Sequence, residues 1–252
     1  MSELTERRYF SPSAFAELAA LERKNWWFRS RNEVILWALG KHCSGFRHYL
    51  EVGCGTGFVL EAVRAQYEHA EISGSEYFEE GLVHARQRVP SASFRRLDAT
   101  AMDDKERFDV IGAFDVLEHI EEDEKVFLNL ARAILPGGAL LVTVPQHRWL
   151  WSAMDDHACH VRRYTRDELI SKVVRTGLEV EYVSSFVSLL LPLMWLSRLR
   201  AKKAVVDPMS EFKIPGWLNA GLEGVMDLER LLQRIGMRFP VGGSLLLVAR
   251  KR

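Results

Sequence analysis

Glu51 stands two residues before three glycines at alternate positions, Gly53, Gly55 and Gly57, with Cys54 between the first pair. Tyr49 to Val52 reads as a short buried strand, and Phe58, Val59, Leu60, Ala62 and Val63 recur as in a helix. Strand, glycine turn, helix is the opening unit of a nucleotide-binding α/β fold. Glycine lets a ligand approach the backbone closely and permits positive φ. A dinucleotide fingerprint spaces its glycines G-x-G-x-x-G around a pyrophosphate. Here the spacing is G-x-G-x-G, and a carboxylate before it would repel a pyrophosphate and favour a ligand carrying a cationic amine.

Further chemistry-bearing residues follow at the ends of successive apolar runs. Glu76 lies 19 positions after Gly57, where an acceptor for ribose hydroxyls is expected. This serves any adenosine-containing cofactor and does not separate one from another. Tyr77 adjoins it as a stacking candidate. Asp98-Ala99 follows a third run, and Asp there is either a ligand residue or a turn and helix cap. Phe114-Asp115-x-x-Glu118-His119 follows a fourth. His119 is the first candidate for a general base, because imidazole titrates near neutral pH. Beyond Pro145 the chain is dense in aromatics, histidines and arginines. Trp149, Trp151, His157, His160, Arg163 and Tyr164, with Glu118, are read as the acceptor-binding wall. His157-x-x-His160 lacks a third zinc ligand nearby, and a lone imidazole suits magnesium poorly, so no metal is expected.

Glu51-Val-Gly-Cys-Gly-Thr-Gly57, with Glu76, Asp98 and Asp115-x-x-Glu118-His119 in order, resembles the class I S-adenosylmethionine-dependent methyltransferases. The last stretch is similar to the type 11 and quinone-methyltransferase branch. The resemblance implies S-adenosylmethionine as cofactor, held by Glu51, Gly53, Cys54, Gly55, Gly57, Glu76, Tyr77, Asp98, Ala99, Phe114 and Asp115. It implies methyl transfer to a small, hydrophobic or aromatic acceptor such as a quinone, lipid precursor or secondary metabolite. The alternatives are an NAD-dependent oxidoreductase, disfavoured by Glu51 and the glycine spacing, and a non-catalytic S-adenosylmethionine-binding protein.

These residues need an alternating strand–helix frame to bring them to one sheet edge. The expected fold is α/β, a doubly wound Rossmann-like sheet of seven mostly parallel strands. The resemblance makes its last strand antiparallel. A single domain over 1–252 divides into an N-terminal helical cap (1–46), a core (47–187 and 241–252) and an insert or lid (188–240). Ser11-Pro12 marks a helix start, and Arg29 and Arg31 are candidates for binding an anionic group. Helix is expected over 121–135 and strand five over 139–144. In the insert, an apolar stretch flanked by Arg198, Arg200, Lys202 and Lys203 reads as a lid, a homodimer helix or a peripheral membrane contact through 186–203.

The 252 residues carry 34 Lys and Arg against 34 Asp and Glu, so there is no global field to gather nucleic acid, and no nucleic-acid partner is expected. The three cysteines, Cys43, Cys54 and Cys159, form no C-x-x-C pair, and the N-terminus shows no apolar signal segment. Both features point to a cytoplasmic protein, or one peripheral on the inner face of the membrane.

Overall fold

The computed structural model describes residues 14–201 and 214–252. The expected helix start at Ser11-Pro12 and the cations Lys202 and Lys203 lie outside the described residues. Seven strands form one sheet: β1 (His48–Val52), β2 (Glu71–Glu76), β3 (Ser93–Arg96), β4 (Phe108–Phe114), β5 (Ile134–Pro145), β6 (Glu179–Phe186) and β7 (Ser244–Arg250), in the order β3-β2-β1-β4-β5-β7-β6. β1 to β5 pair in parallel, as the alternating pattern predicts, and β7 runs antiparallel between β5 and β6, an antiparallel last strand being what the resemblance implies. Strand order reverses between β1 and β4, and the carboxyl ends of these strands open the crevice where such sheets bind ligands.

Both faces of the sheet are covered, which is why its central strands are apolar throughout. Successive residues alternate between the two layers. Tyr49, Leu246 and Val248 pack on one side with α2 (Trp26–His42) and α3 (Phe58–Gln66). Leu50, Leu245 and Leu247 pack on the other with α5 (Asp123–Ala133) and α7 (Arg166–Arg175). α4 (Glu79–Arg88) follows β2, and the short α6 (Ala153–His157) follows β5.

Two elements differ in extent from expectation. The helix expected over 121–135 stops at Ala133, and β5 begins at Ile134 rather than 139. Ile134 pairs with Phe108, and the register shifts before Val110 pairs with Ala139, so Pro136-Gly-Gly138 lies in an irregularity of the strand. Gly138 is required there, since a Cβ would come within 2.7 Å of the Asp109 carbonyl.

The N-terminal helices do two jobs. α1 (Ala14–Leu21) sets Phe15 over the glycine turn, and Glu22 just after it accepts the Thr56 hydroxyl at 2.6 Å and pairs with Arg88 at 2.8 Å. α2 is a layer of the core, with Val34, Ile35, Ala38 and Leu39 buried. The insert contributes α8 (Leu191–Ala201) and α9 (Gly216–Arg234). α9 clamps α2: Asn219 accepts the Trp26 N–H at 2.8 Å, and Glu223 pairs with Arg29.

Candidate active site

The turn after β1 is held open by backbone geometry. Gly53, Gly55 and Gly57 all adopt positive φ, at 68°, 52° and 77°. At Gly53 a Cβ would sit 2.3 Å from a Val116 methyl, and at Gly57 3.0 Å from the Ala85 backbone, so both positions demand glycine twice over. Cys54 is anchored by its N–H to the Ser75 carbonyl, 2.9 Å, and its side chain is buried against β2.

Glu51, at the carboxyl end of β1, is fully buried. Burial pushes its pKa up to about 8, against the pull of Arg31. Its Oε2 has no hydrogen-bond partner among the described residues. Arg31 comes from α2, stacks on the Trp27 ring at 4.8 Å and pairs with Asp115 at 2.5 Å. Asp115 itself is a non-glycine residue at φ 55°, turned there as the chain leaves β4, with its N–H on the Thr143 carbonyl. Phe114 before it is buried.

Glu76 ends β2 and accepts three backbone N–H groups, from Gly55 (3.0 Å), Tyr77 (2.8 Å) and Phe78 (3.1 Å). Burial raises its pKa against these bonds. Tyr77 is exposed beside it, within 5.8 Å of the Arg96 guanidinium. Asp98 caps the short turn Ala99–Ala101 through the Thr100 N–H (2.8 Å) and hydroxyl (2.7 Å), the helix-cap role the sequence left open. Ala99 is buried, its carbonyl held by Asn129.

A second cluster lies beyond β4. Glu118 is buried, and desolvation with the adjacent Asp115 charge holds its carboxyl well above the usual carboxylate range. His119 bonds the Ala158 carbonyl, and burial with the nearby His160 pushes it down to about 3. The two imidazoles meet edge to face, 4.6 Å apart. A ring lowered this far is neutral near pH 7 and a poorer proton acceptor than the free imidazole expected from the sequence.

His160 is oriented by Asp155, its Nδ1 2.8 Å from Oδ1. Arg163 grips the same carboxylate with Nε (2.7 Å) and Nη2 (2.9 Å). Burial would raise the Asp155 pKa, but the bonds from His160 and Arg163 outweigh it and hold the carboxyl below its ordinary range. An ionised carboxylate can only accept, so Nδ1 carries the proton and Nε2 is the basic nitrogen. Ser152 and Asp155 form a capping box that starts α6. α6 ends in a Schellman turn: His160 N–H bonds the Asp155 carbonyl, Cys159 N–H bonds that of Asp156, and Cys159 takes φ 56°.

The residues expected to wall an acceptor lie in different surroundings. Trp149 is exposed and stacks on His147 at 5.2 Å, and Trp151 donates its indole N–H to Asp156 at 2.8 Å. His157 is exposed at the end of α6. Arg163 is a positioning residue, committed to Asp155. Tyr164 belongs to the core: it has no exposed surface, and its hydroxyl bonds Asp123 (2.6 Å) and the Leu117 carbonyl (3.2 Å). It alternates into the interior because Gln146 and Tyr164 form a bridge beside β5. Glu118, His119 and His160 bring one ligand atom each within 4.8 Å of one another, a set able to hold a divalent ion.

Two contributors escaped the sequence reading. Asp155 was visible as the far half of Ser152-x-x-Asp155, a capping-box spacing. The pairing of Arg31 with Asp115 spans 84 residues and had no local signal.

The strand order, the antiparallel β7 and a glycine turn flanked by Glu51 and Glu76 together define the class I methyltransferase fold. Residues 50–140 match a family model described as a methyltransferase domain. Among curated proteins, a "Probable S-adenosylmethionine-dependent methyltransferase" of Mycolicibacterium smegmatis is 30% identical over 168 residues, covering 65% of this chain and 63% of its own length. One of the same description from Mycobacterium tuberculosis is 26% identical over 160 residues, 62% of this chain and 57% of its own. The chain thus spans about three-fifths of these relatives. Among solved structures, the [4+2]-cyclase SpnF has a TM-score of 0.60 at 20% identity, covering 89% of this chain and 83% of its own. Phosphoethanolamine N-methyltransferase 2 of Haemonchus contortus, in complex with S-adenosyl-L-methionine, has 0.58 at 18%, covering 88% and 52%. These two show a shared fold.

The relatives are described as S-adenosylmethionine-dependent, and the residues present here fit that cofactor. Of the three left-handed glycines, Gly55 has room where a Cβ would stand, and nearby Glu51 turns a buried carboxylate oxygen to no hydrogen-bond donor among the described residues.

Proposed function

We propose that the protein transfers a methyl group from S-adenosylmethionine to a small hydrophobic or aromatic acceptor. The observation that carries this reading is the buried Glu51 carboxylate beside the glycine turn, in the field of the Arg31 guanidinium that pairs with Asp115. An α-amino acid group needs one acid for its ammonium and one cation for its carboxylate, and this pair supplies both. Glu76 would take the ribose hydroxyls, and Asp98 with Ala99 the adenine edge. Phe114 and Asp115 would line the methionine portion.

The sulfonium supplies an activated methyl group, so alignment of donor and acceptor carries most of the rate. Where the acceptor must lose a proton, His160 is the residue placed to take it at Nε2. Asp155 orients the ring and stabilises the imidazolium, and Arg163 keeps that carboxylate ionised. Trp149 and Trp151 favour a flat, apolar acceptor. The ubiquinone biosynthesis O-methyltransferase of Coxiella burnetii, 32% identical over 100 residues, points toward hydroxylated quinones as first candidates.

The test is calorimetric titration with S-adenosylhomocysteine, with NAD as control, followed by transfer of a labelled methyl group to hydroxyquinones and lipid-like phenols. Micromolar binding of the first ligand alone and labelled product support the reading. Binding of NAD alone would overturn it.

A further inference from the structure

α9 is apolar on the side it turns to solvent. It buries Met226, Glu229 and Gln233 on one side. The opposite side presents Trp217, Gly221, Gly224, Leu228, Leu231 and Ile235, spaced three or four residues apart and all exposed. Trp217 is 77% exposed and Ile235 73%, values that a helix seated in a protein core never shows. The stripe runs the whole length of the helix, roughly 28 Å. α8 is tied to α9 through Glu229, which accepts the N–H groups of Ser188 (2.7 Å) and Leu189 (2.8 Å), and it adds exposed Leu193 and Trp195.

The charge around this face is one-sided. Among the described side chains of 188–240, Arg198, Arg230, Arg234 and Arg238 stand against Glu223, Asp227 and Glu229. Of the acids, Glu229 is buried, Glu223 is paired with Arg29 and Asp227 with Arg230. Arg234 and Arg238 stand exposed at the carboxyl end of α9. Two copies meeting through this face would bring like charges together, whereas an anionic surface complements it. No helix among the described residues is long and apolar enough to cross a membrane. An apolar stripe with tryptophan, bordered by arginine, is the design of a helix that lies in a bilayer interface.

We propose that the outer face of α9, together with α8, docks on the surface of an anionic lipid bilayer. α8 also packs against the Arg148–Leu150 turn that carries Trp149. On the methyl-transfer reading, this sets the acceptor entrance close to the lipid, but the docking itself does not depend on that reading.

Flotation of the full-length protein with vesicles of phosphatidylcholine mixed with phosphatidylglycerol, against phosphatidylcholine alone, tests the proposal. Binding should require the anionic lipid and weaken several-fold as salt is raised. Trp217→Glu and Leu231→Glu should each lower it by about tenfold or more, since each puts a charge into the apolar layer. S-adenosylhomocysteine affinity should be unchanged in both, which shows the variants folded and separates this result from the fate of the methyl-transfer reading. Absence of vesicle binding, or equal binding by the variants, would overturn it. So would a dimer in light scattering that Leu231→Glu converts to monomer, which would give the face to a second copy.

Discussion

Replacing Glu51 by Gln should make the protein more stable and unable to hold its cofactor. Glu51 has a pKa of about 8 in the fold against 4.5 for a free glutamate. Because the folded value is the higher one, burial of this acid opposes folding wherever the unfolded chain has lost the proton and the native one keeps it. The penalty is absent below pH 4.5, grows through the interval and levels off above pH 8. At pH 7 it amounts to about 3 kcal/mol, at 1.36 kcal/mol per pH unit across the gap. Gln has the same shape and carries no charge, so E51Q should gain roughly this amount at pH 7 and nothing at pH 4.5. In a domain of this size that is a rise of about 6–12 °C in Tm. Denaturation of both proteins across this pH range measures it. The same substitution removes the acceptor for the ligand's ammonium and should weaken S-adenosylhomocysteine binding about a hundredfold. Wild-type binding at pH 7 should release close to one proton, seen as an enthalpy that varies with the buffer. A stability difference that does not change with pH, or undiminished affinity in E51Q, would refute the reasoning.

Arg31→Gln should weaken S-adenosylhomocysteine by about tenfold to a hundredfold, yet leave 5′-methylthioadenosine, which lacks the amino-acid group, nearly unaffected. Equal losses for both ligands would reduce Arg31 to a packing role. Once an acceptor is identified, His160→Gln should lower kcat by about 10²–10⁴ with cofactor affinity unchanged, while His119→Gln stays within a few-fold of wild type. The reverse order would reinstate His119 as the base. Tyr164→Phe should cost about 1–2 kcal/mol in thermal denaturation and leave ligand binding intact, because its hydroxyl serves Asp123 and Leu117 inside the core. A changed ligand affinity would return Tyr164 to the site.

What the sequence made legible was local. The glycine turn announces itself because three positive-φ positions must be filled within five residues, and glycine fills them all. Glu76 follows from the rise of one helix and one strand. What stayed hidden depends on contacts distant in sequence or on residues that break a rule. Arg31 reads, with Arg29, only as a candidate for an anionic group until α2 folds over the sheet and delivers it to Asp115. His157 and His160 are indistinguishable by type, and only the turn between them separates their fates. A helix of this kind normally ends with glycine at the left-handed position, and here Cys159 occupies it. That residue carries no signal for a reversal, so the sequence gives no reason to prefer one histidine. Once the reversal is made, His157 is left in solvent, His160 is turned back onto Asp155, and the carbonyl of Ala158 is brought to the His119 ring. A single left-handed residue thus decides which imidazole meets Asp155 and the His119 ring and which is left in solvent.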